Sequence, residues 1–187
     1  MEEALQEATK GSEEGEVPVG AVIVDPVGAI VARAHNQPLS LNDPCAHAEI
    51  LALRQAGIFC NNYRIEGATL VVTMEPCLMC IGAAMHARVA RLVFGALDPK
   101  WGAAGSLYNV PADLRLNHRI EVIPGVLAEE CLKLMQDFFR MRREKEQRHT
   151  ERYRSGHNGV DSKSTCPAKN GARGFESHPL RQEIQRS

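Results

Sequence analysis

Thr69-Leu70-Val71-Val72-Thr73-Met74-Glu75-Pro76-Cys77-Leu78-Met79-Cys80 is the stretch that decides the fold of this chain. Its first half is an apolar, β-rich run of strand length, Thr69–Met74. Pro76 opens a helix, because a proline in the first helical turn sacrifices no hydrogen bond. The helix read from there, Cys77–Ala87, is apolar nearly all round, which is the pattern of a buried element. Arg91–Ala96 follows as another strand. Strand, helix and strand in that order make a crossover, expected to be right-handed, that lays its two strands parallel.

Upstream, Val17–Val24 and Ala29–Ala34 flank the turn Asp25-Pro26-Val27-Gly28 and read as a hairpin, so the sheet combines antiparallel and parallel pairs. A short amphipathic helix over residues 2–14 is carried by Ala4, Leu5 and Ala8 and weakened by Gly11. Asp43-Pro44 supplies a cap and a first-turn proline for a helix over Ala46–Ala56, stopped at Gly57, with His47 and Glu49 in its first turn. Downstream, a loop over Leu97–Asn117 precedes a short strand, Ile120–Ile123. A helix from about Leu127 then sets Leu127, Cys131, Leu134, Met135 and Phe138 on one face. The class is α/β, and no internal repeat is visible.

The 187 residues, 44% hydrophobic and 24% charged, fit one globular domain. No apolar run approaches the roughly 20 residues of a membrane span, and Met1-Glu2-Glu3 is the opposite of a basic signal-peptide opening. A cytoplasmic location with no membrane is expected. Six cysteines comprise the Cys77/Cys80 unit and the scattered Cys45, Cys60, Cys131 and Cys166, which in a reducing compartment are thiols or metal ligands. Residues 1–139 hold 10 basic and 17 acidic side chains, whereas 140–187 hold 12 and 6. A basic end either neutralises phosphates or is simply solvated. The division expected is a domain over 1–147 and a basic tail over 148–187, disordered because from about His149 it is Gly-, Ser- and Arg-rich without periodicity.

His47-Ala48-Glu49 and Cys77/Cys80 together suggest a metal centre. One imidazole and two thiolates make three ligands, the number a catalytic zinc takes when its fourth position is left to water. Glu49 then remains to move protons. Cys77 and Cys80 are three apart and share a helix face, where the N-terminal partial charge favours thiolate. His47 and Glu49 are harder to converge, since two residues on a helix are about 200° apart. The same freedom extends to Cys45, which as a fourth ligand would close the site into a structural zinc.

The pattern H-x-E followed by P-C-x-x-C is the signature of zinc nucleobase deaminases. Across residues 1–147 the chain resembles the cytidine-deaminase-like superfamily and, within it, the bacterial deaminases acting on tRNA adenosine. That branch is marked by Glu16-Val17-Pro18-Val19-Gly20-Ala21-Val22, the segment from Asp43-Pro44 to Leu53, Thr73-Met74-Glu75-Pro76, Gly102-Ala103-Ala104-Gly105-Ser106 and Asp137-Phe138-Phe139-Arg140-Met141-Arg142-Arg143. The resemblance implies a three-layer α/β/α fold around a mixed five-stranded sheet, a homodimer, and conversion of the wobble adenosine of a tRNA anticodon to inosine. It implies one zinc per subunit on His47, Cys77 and Cys80, with hydroxide attacking C6 and ammonia leaving. Glu49 would protonate the ring nitrogen and then the leaving amine. Asn36 and Ala48 would contact the flipped nucleoside, and the loop carrying Asp98 would lie beside the neighbouring nucleotide. The helix with Phe139, Arg142 and Arg143 would hold the anticodon arm.

Read as residues alone, Asn36 before Gln37-Pro38 can close a turn, and Asp98 before Pro99 can cap a loop. Two other functions compete: a free-base deaminase for guanine or cytosine, and a silent RNA-binding subunit, against which Glu49 argues. In the tail, Gly174-Phe175-Glu176-Ser177-His178-Pro179 has codons that accommodate GGTTCGAATCC of a tRNA gene's T arm. The tail is therefore expected to be a reading frame extended through a neighbouring tRNA gene, which the nucleotide sequence tests directly.

Overall fold

The computed structural model describes residues 1–155, with side chains through Glu151. The tail expectations for 156–187 lie outside the described residues. β1 (Gly20–Val24), β2 (Ile30–His35), β3 (Thr69–Met74), β4 (Arg91–Ala96) and β5 (Glu121–Ile123) form one sheet in the order β2-β1-β3-β4-β5. β1 runs antiparallel to β2 and β3, while β3, β4 and β5 run parallel. The sheet is thus mixed and five-stranded, as expected.

Strand alternation separates the layers. Ala21, Ile23, Leu70 and Val72 point to one face, in one core with Ala52 and Ala56 of α3 (Ala48–Phe59) and Ile81 and Ala84 of α4 (Leu78–His86). Val22 and Val71 point to the other, against Ala4 of α1 (Glu2–Glu13), with Val93 packed beside them. Gly95 shares that face two residues on from Val93. A Cβ there would fall 2.4 Å from Cys131 Sγ, so α5 (Ala128–Ser155) approaches β4 as closely as glycine permits. Helices on both faces make the α/β/α arrangement, and Met1–Gln147 forms one compact unit.

Several boundaries move for local reasons. β1 begins at Gly20 rather than Val17, because Pro18 has no N–H for a ladder and Val19 closes a tight turn onto the Val17 carbonyl at 2.7 Å. α3 begins at Ala48 rather than Ala46 and continues through Gly57 to Phe59, and the left-handed residue behind its end is Asn61, φ 47°. Asp43 caps the preceding turn instead, accepting the Cys45 N–H at 2.8 Å. α4 is one residue shorter at each end than Cys77–Ala87. The four-residue α2 (Pro38–Leu41) was not legible. Gly11 does not merely weaken α1, since a Cβ there would press on His35 at 3.3 Å, making it the close-approach point of helix and strand. α5 continues through 148–155, into the segment read as a disordered tail, where the arginines and Glu151 favour helix. Among the described residues, no helix is long and apolar enough to cross a membrane.

Candidate active site

Two helix starts meet at the site. His47 is the N-cap of α3, with ψ 149°, and Cys77 is the N-cap of α4, with ψ 174°. His47 therefore does not lie in the first helical turn as the sequence suggested. Its extended backbone removes the 200° problem, because only Glu49 obeys the helical rotation. Neither N-cap side chain makes a capping hydrogen bond. The first N–H of α3, that of Ala48, is accepted instead by Asn36 Oδ1 at 2.9 Å, from just beyond β2.

His47 Nδ1 lies 3.8 Å from Cys77 Sγ and 3.5 Å from Cys80 Sγ, and the two sulfurs are 3.6 Å apart. A tetrahedral zinc with bonds of about 2.3 Å to sulfur and about 2.05 Å to nitrogen requires S···S near 3.8 Å and S···N near 3.6 Å. The donors therefore fit zinc without rearrangement. Among the described residues, these three are the only group of His, Cys, Asp or Glu close enough to share a metal. Cys45 is exposed and outside the group, so the four-ligand structural zinc lacks its fourth donor.

The electrostatics suit metal capture. The hydrogen bond from Cys80 and that of His47 outweigh burial and hold the Cys77 thiol down to about 4. Cys80 is pushed far up by its bond to Cys77 and by burial, so one thiolate is ready and the second proton leaves on metal binding. The bond to Cys77 raises His47. Glu49, only 4% exposed, has its carboxyl raised above the usual range by burial.

His47, Glu49 and Cys77 line a pocket of about 450 Å³ together with Asn36, Asp98 and Trp101. Asn36 Oδ1 accepts from the start of α3 rather than closing its own turn, and the residue also lines the cavity. Asp98 Oδ1 accepts the N–H groups of Lys100 and Trp101 at 2.9 and 3.2 Å, which is the loop-capping reading, while its side chain lines the pocket. Ala48 is fully buried, with its N–H committed to Asn36. Phe139, Arg142 and Arg143 lie on α5 outside the pocket lining; Arg142 sits over the Phe138 ring at 5.7 Å.

Sequence reasoning assigned no role to Glu75 or Trp101. Glu75 is 3% exposed. Its carboxylate accepts the N–H groups of Asp98 at 3.0 Å, Ala104 at 3.0 Å and Ser106 at 2.9 Å, and the Ser106 hydroxyl. Burial alone would raise it, but these bonds hold it below the ordinary carboxylate value. A Cβ at Gly102 would lie 2.4 Å from that carboxylate. One buried anion thus organises residues 98–106 as a pocket wall. The available signal was an acidic residue directly before the proline of the metal motif.

The family described as the cytidine and deoxycytidylate deaminase zinc-binding region matches residues 1–96, and this chain belongs to it: a zinc-dependent deaminase. Within that class the chain is 49% identical over 144 residues to the tRNA-specific adenosine deaminase of Haemophilus influenzae, covering 77% of this chain and 83% of the relative. It is 50% identical over 145 residues to the tRNA-specific adenosine deaminase of Bacillus subtilis, covering 78% and 89%. A solved structure from studies of A-to-I editing by tRNA:A34 deaminases at the wobble position of transfer RNA aligns with a TM-score of 0.69 at 42% identity, over 72% of this chain and 96% of that one.

Proposed function

We propose that this chain hydrolyses the wobble adenosine of a tRNA anticodon to inosine and ammonia. The observation that carries the reaction is the buried Glu49 carboxylate beside three donors already spaced for zinc. His47, Cys77 and Cys80 would hold the zinc, which would supply a water with its pKa lowered to about 7. Glu49 would carry one proton from that water to the adenine ring nitrogen as the C6–O bond forms, and then the second, from the C6 hydroxyl, to the amine, so that the C6–N bond breaks to release ammonia and leave the carbonyl of inosine. Its raised pKa brings proton uptake and release closer to neutrality, as general acid-base catalysis needs. Asn36, with its oxygen held by Ala48, turns its amide NH₂ toward the nucleoside, and Ala48 acts through that bond rather than by touching substrate. Asp98 borders the neighbouring nucleotide. Phe139, Arg142 and Arg143 grip the anticodon arm, the arginines through phosphates.

A hairpin loop supports this substrate because its bases are unstacked at little cost. The enzyme works in the cytoplasm as a homodimer. The surface favouring a second copy is a groove of about 940 Å³ along α3 and α4, lined by Ile58 and Tyr63, 80% and 69% exposed.

The test is inosine formation on an anticodon stem-loop beside free adenosine, guanine and cytosine at equal concentration. Only the stem-loop is expected to react, and Arg142→Ala and Arg143→Ala should weaken its binding with zinc content unchanged. Turnover of guanine with an inert stem-loop would replace this reading with that of a free-base deaminase.

A further inference from the structure

We infer that Trp101 is a stacking platform for a nucleobase flanking the reacting adenosine, a reading that rests on the substrate proposed above. Trp101 is the chain's single tryptophan, lines the catalytic pocket, and is 69% exposed. It is a large apolar ring left in water beside a polar site. Burying such a ring in the core is the ordinary way to gain from it, and here that has not happened.

The backbone beneath it is fixed. The Trp101 N–H bonds Asp98 Oδ1, and the next N–H, that of Gly102, bonds the Asp98 carbonyl at 2.8 Å. Asp98 is itself tied to Glu75, as are Ala104 and Ser106. The loop is therefore braced on both sides of Trp101 while the indole face stays open. Among the described residues, no ring or guanidinium stacks on it.

Depth decides which base it meets. The reacting adenine must reach Glu49, 4% exposed, at the floor, whereas the indole lies toward solvent. A strand with one base inserted leaves its neighbours outside, and an open aromatic face there receives one of them with little sequence preference, since every base has a π face. Exposed Lys100, adjacent in the chain, suits the accompanying phosphate.

The single tryptophan makes the test direct. Zinc-loaded Glu49→Gln protein is titrated with an anticodon stem-loop, following Trp101 emission and, separately, the anisotropy of dye-labelled RNA. Emission should be quenched on binding. One of two stem-loops, abasic at the nucleotide before or after the target, should bind without the quench. In the active enzyme Trp101→Ala should raise KM roughly 5- to 150-fold with zinc content and kcat little changed, and Trp101→Phe should recover most of the loss. Binding without a change in emission, or a quench that survives both abasic substitutions, overturns the inference while leaving the deaminase reading intact. A shift in oligomeric state on Trp101→Ala would also overturn it, by making the indole a protein contact. A stem-loop that neither binds nor reacts removes both readings.

Discussion

Replacing Glu75 by Gln keeps the side chain's shape and removes one acceptor oxygen together with the charge. The most favourable orientation leaves the remaining oxygen facing the N–H groups of Ala104 and Ser106. The new NH₂ then faces the Ser106 hydroxyl, which can rotate to accept, and the Asp98 N–H, which cannot. One orphaned buried donor costs about 1–3 kcal/mol, and two bonds that lose charge assistance cost about 1 kcal/mol each, for a total of roughly 3–5 kcal/mol. In a domain of this size 1 kcal/mol moves Tm by about 2–4 °C, so a fall of at least about 6 °C is expected if the loop stays closed. If the loop instead opens locally, the same energy appears as faster amide exchange over 98–106 and lost deamination. The acid side gives a second reading. The folded pKa of Glu75 is lowered, so its contribution is present above the ordinary carboxylate value and disappears as pH falls through the folded value. The variant's Tm should therefore depend less on pH there. A Glu75→Gln protein with unchanged Tm, full activity and a protected loop would refute the reasoning.

Gly102→Ala should reproduce part of that phenotype, because its Cβ meets the Glu75 carboxylate at 2.4 Å and the Asp98 carbonyl at 2.5 Å; KM and loop exchange are the measurements. Glu49→Gln is expected to retain stoichiometric zinc while deamination falls about 100- to 10,000-fold, and a metal-free variant would make Glu49 a ligand. Cys45→Ser should keep both zinc and activity, since Cys45 is exposed and outside the donor group; zinc analysis decides it.

What was legible in the sequence is what local spacing encodes. Cys77 and Cys80 lie three apart after a proline, and His47 and Glu49 lie two apart at a helix start, so the donors and the carboxylate proposed to carry protons could be picked out before their geometry was known. Strands β3 and β4 were equally plain as apolar runs of strand length. Less plain were features whose cause is far away in the chain. Glu75 binds partners 23 to 31 residues downstream, and nothing near it in sequence announces them. The helix that starts at Ala48 rather than Ala46 depends on Asn36, twelve residues earlier, for its first acceptor. Gly57 looked like a stop, yet the left-handed conformation falls at Asn61. Trp101 gave only a residue type, and its place on the pocket wall came from the loop that carries it.

The order of parts along the chain also sets an order in time. His47, Glu49, Cys77 and Cys80 are all translated before β4 is complete, whereas the partners of Glu75 lie at 98–106 and the α5 contact to Gly95 comes at Cys131. At synthesis rates of about 5–20 residues per second, the 26 residues from Cys80 to Ser106 take roughly one to five seconds. During that interval the nascent chain carries a complete set of metal donors, while the Glu75 carboxylate still lacks its full set of partners. Loading of the ion can thus precede closure of the pocket wall.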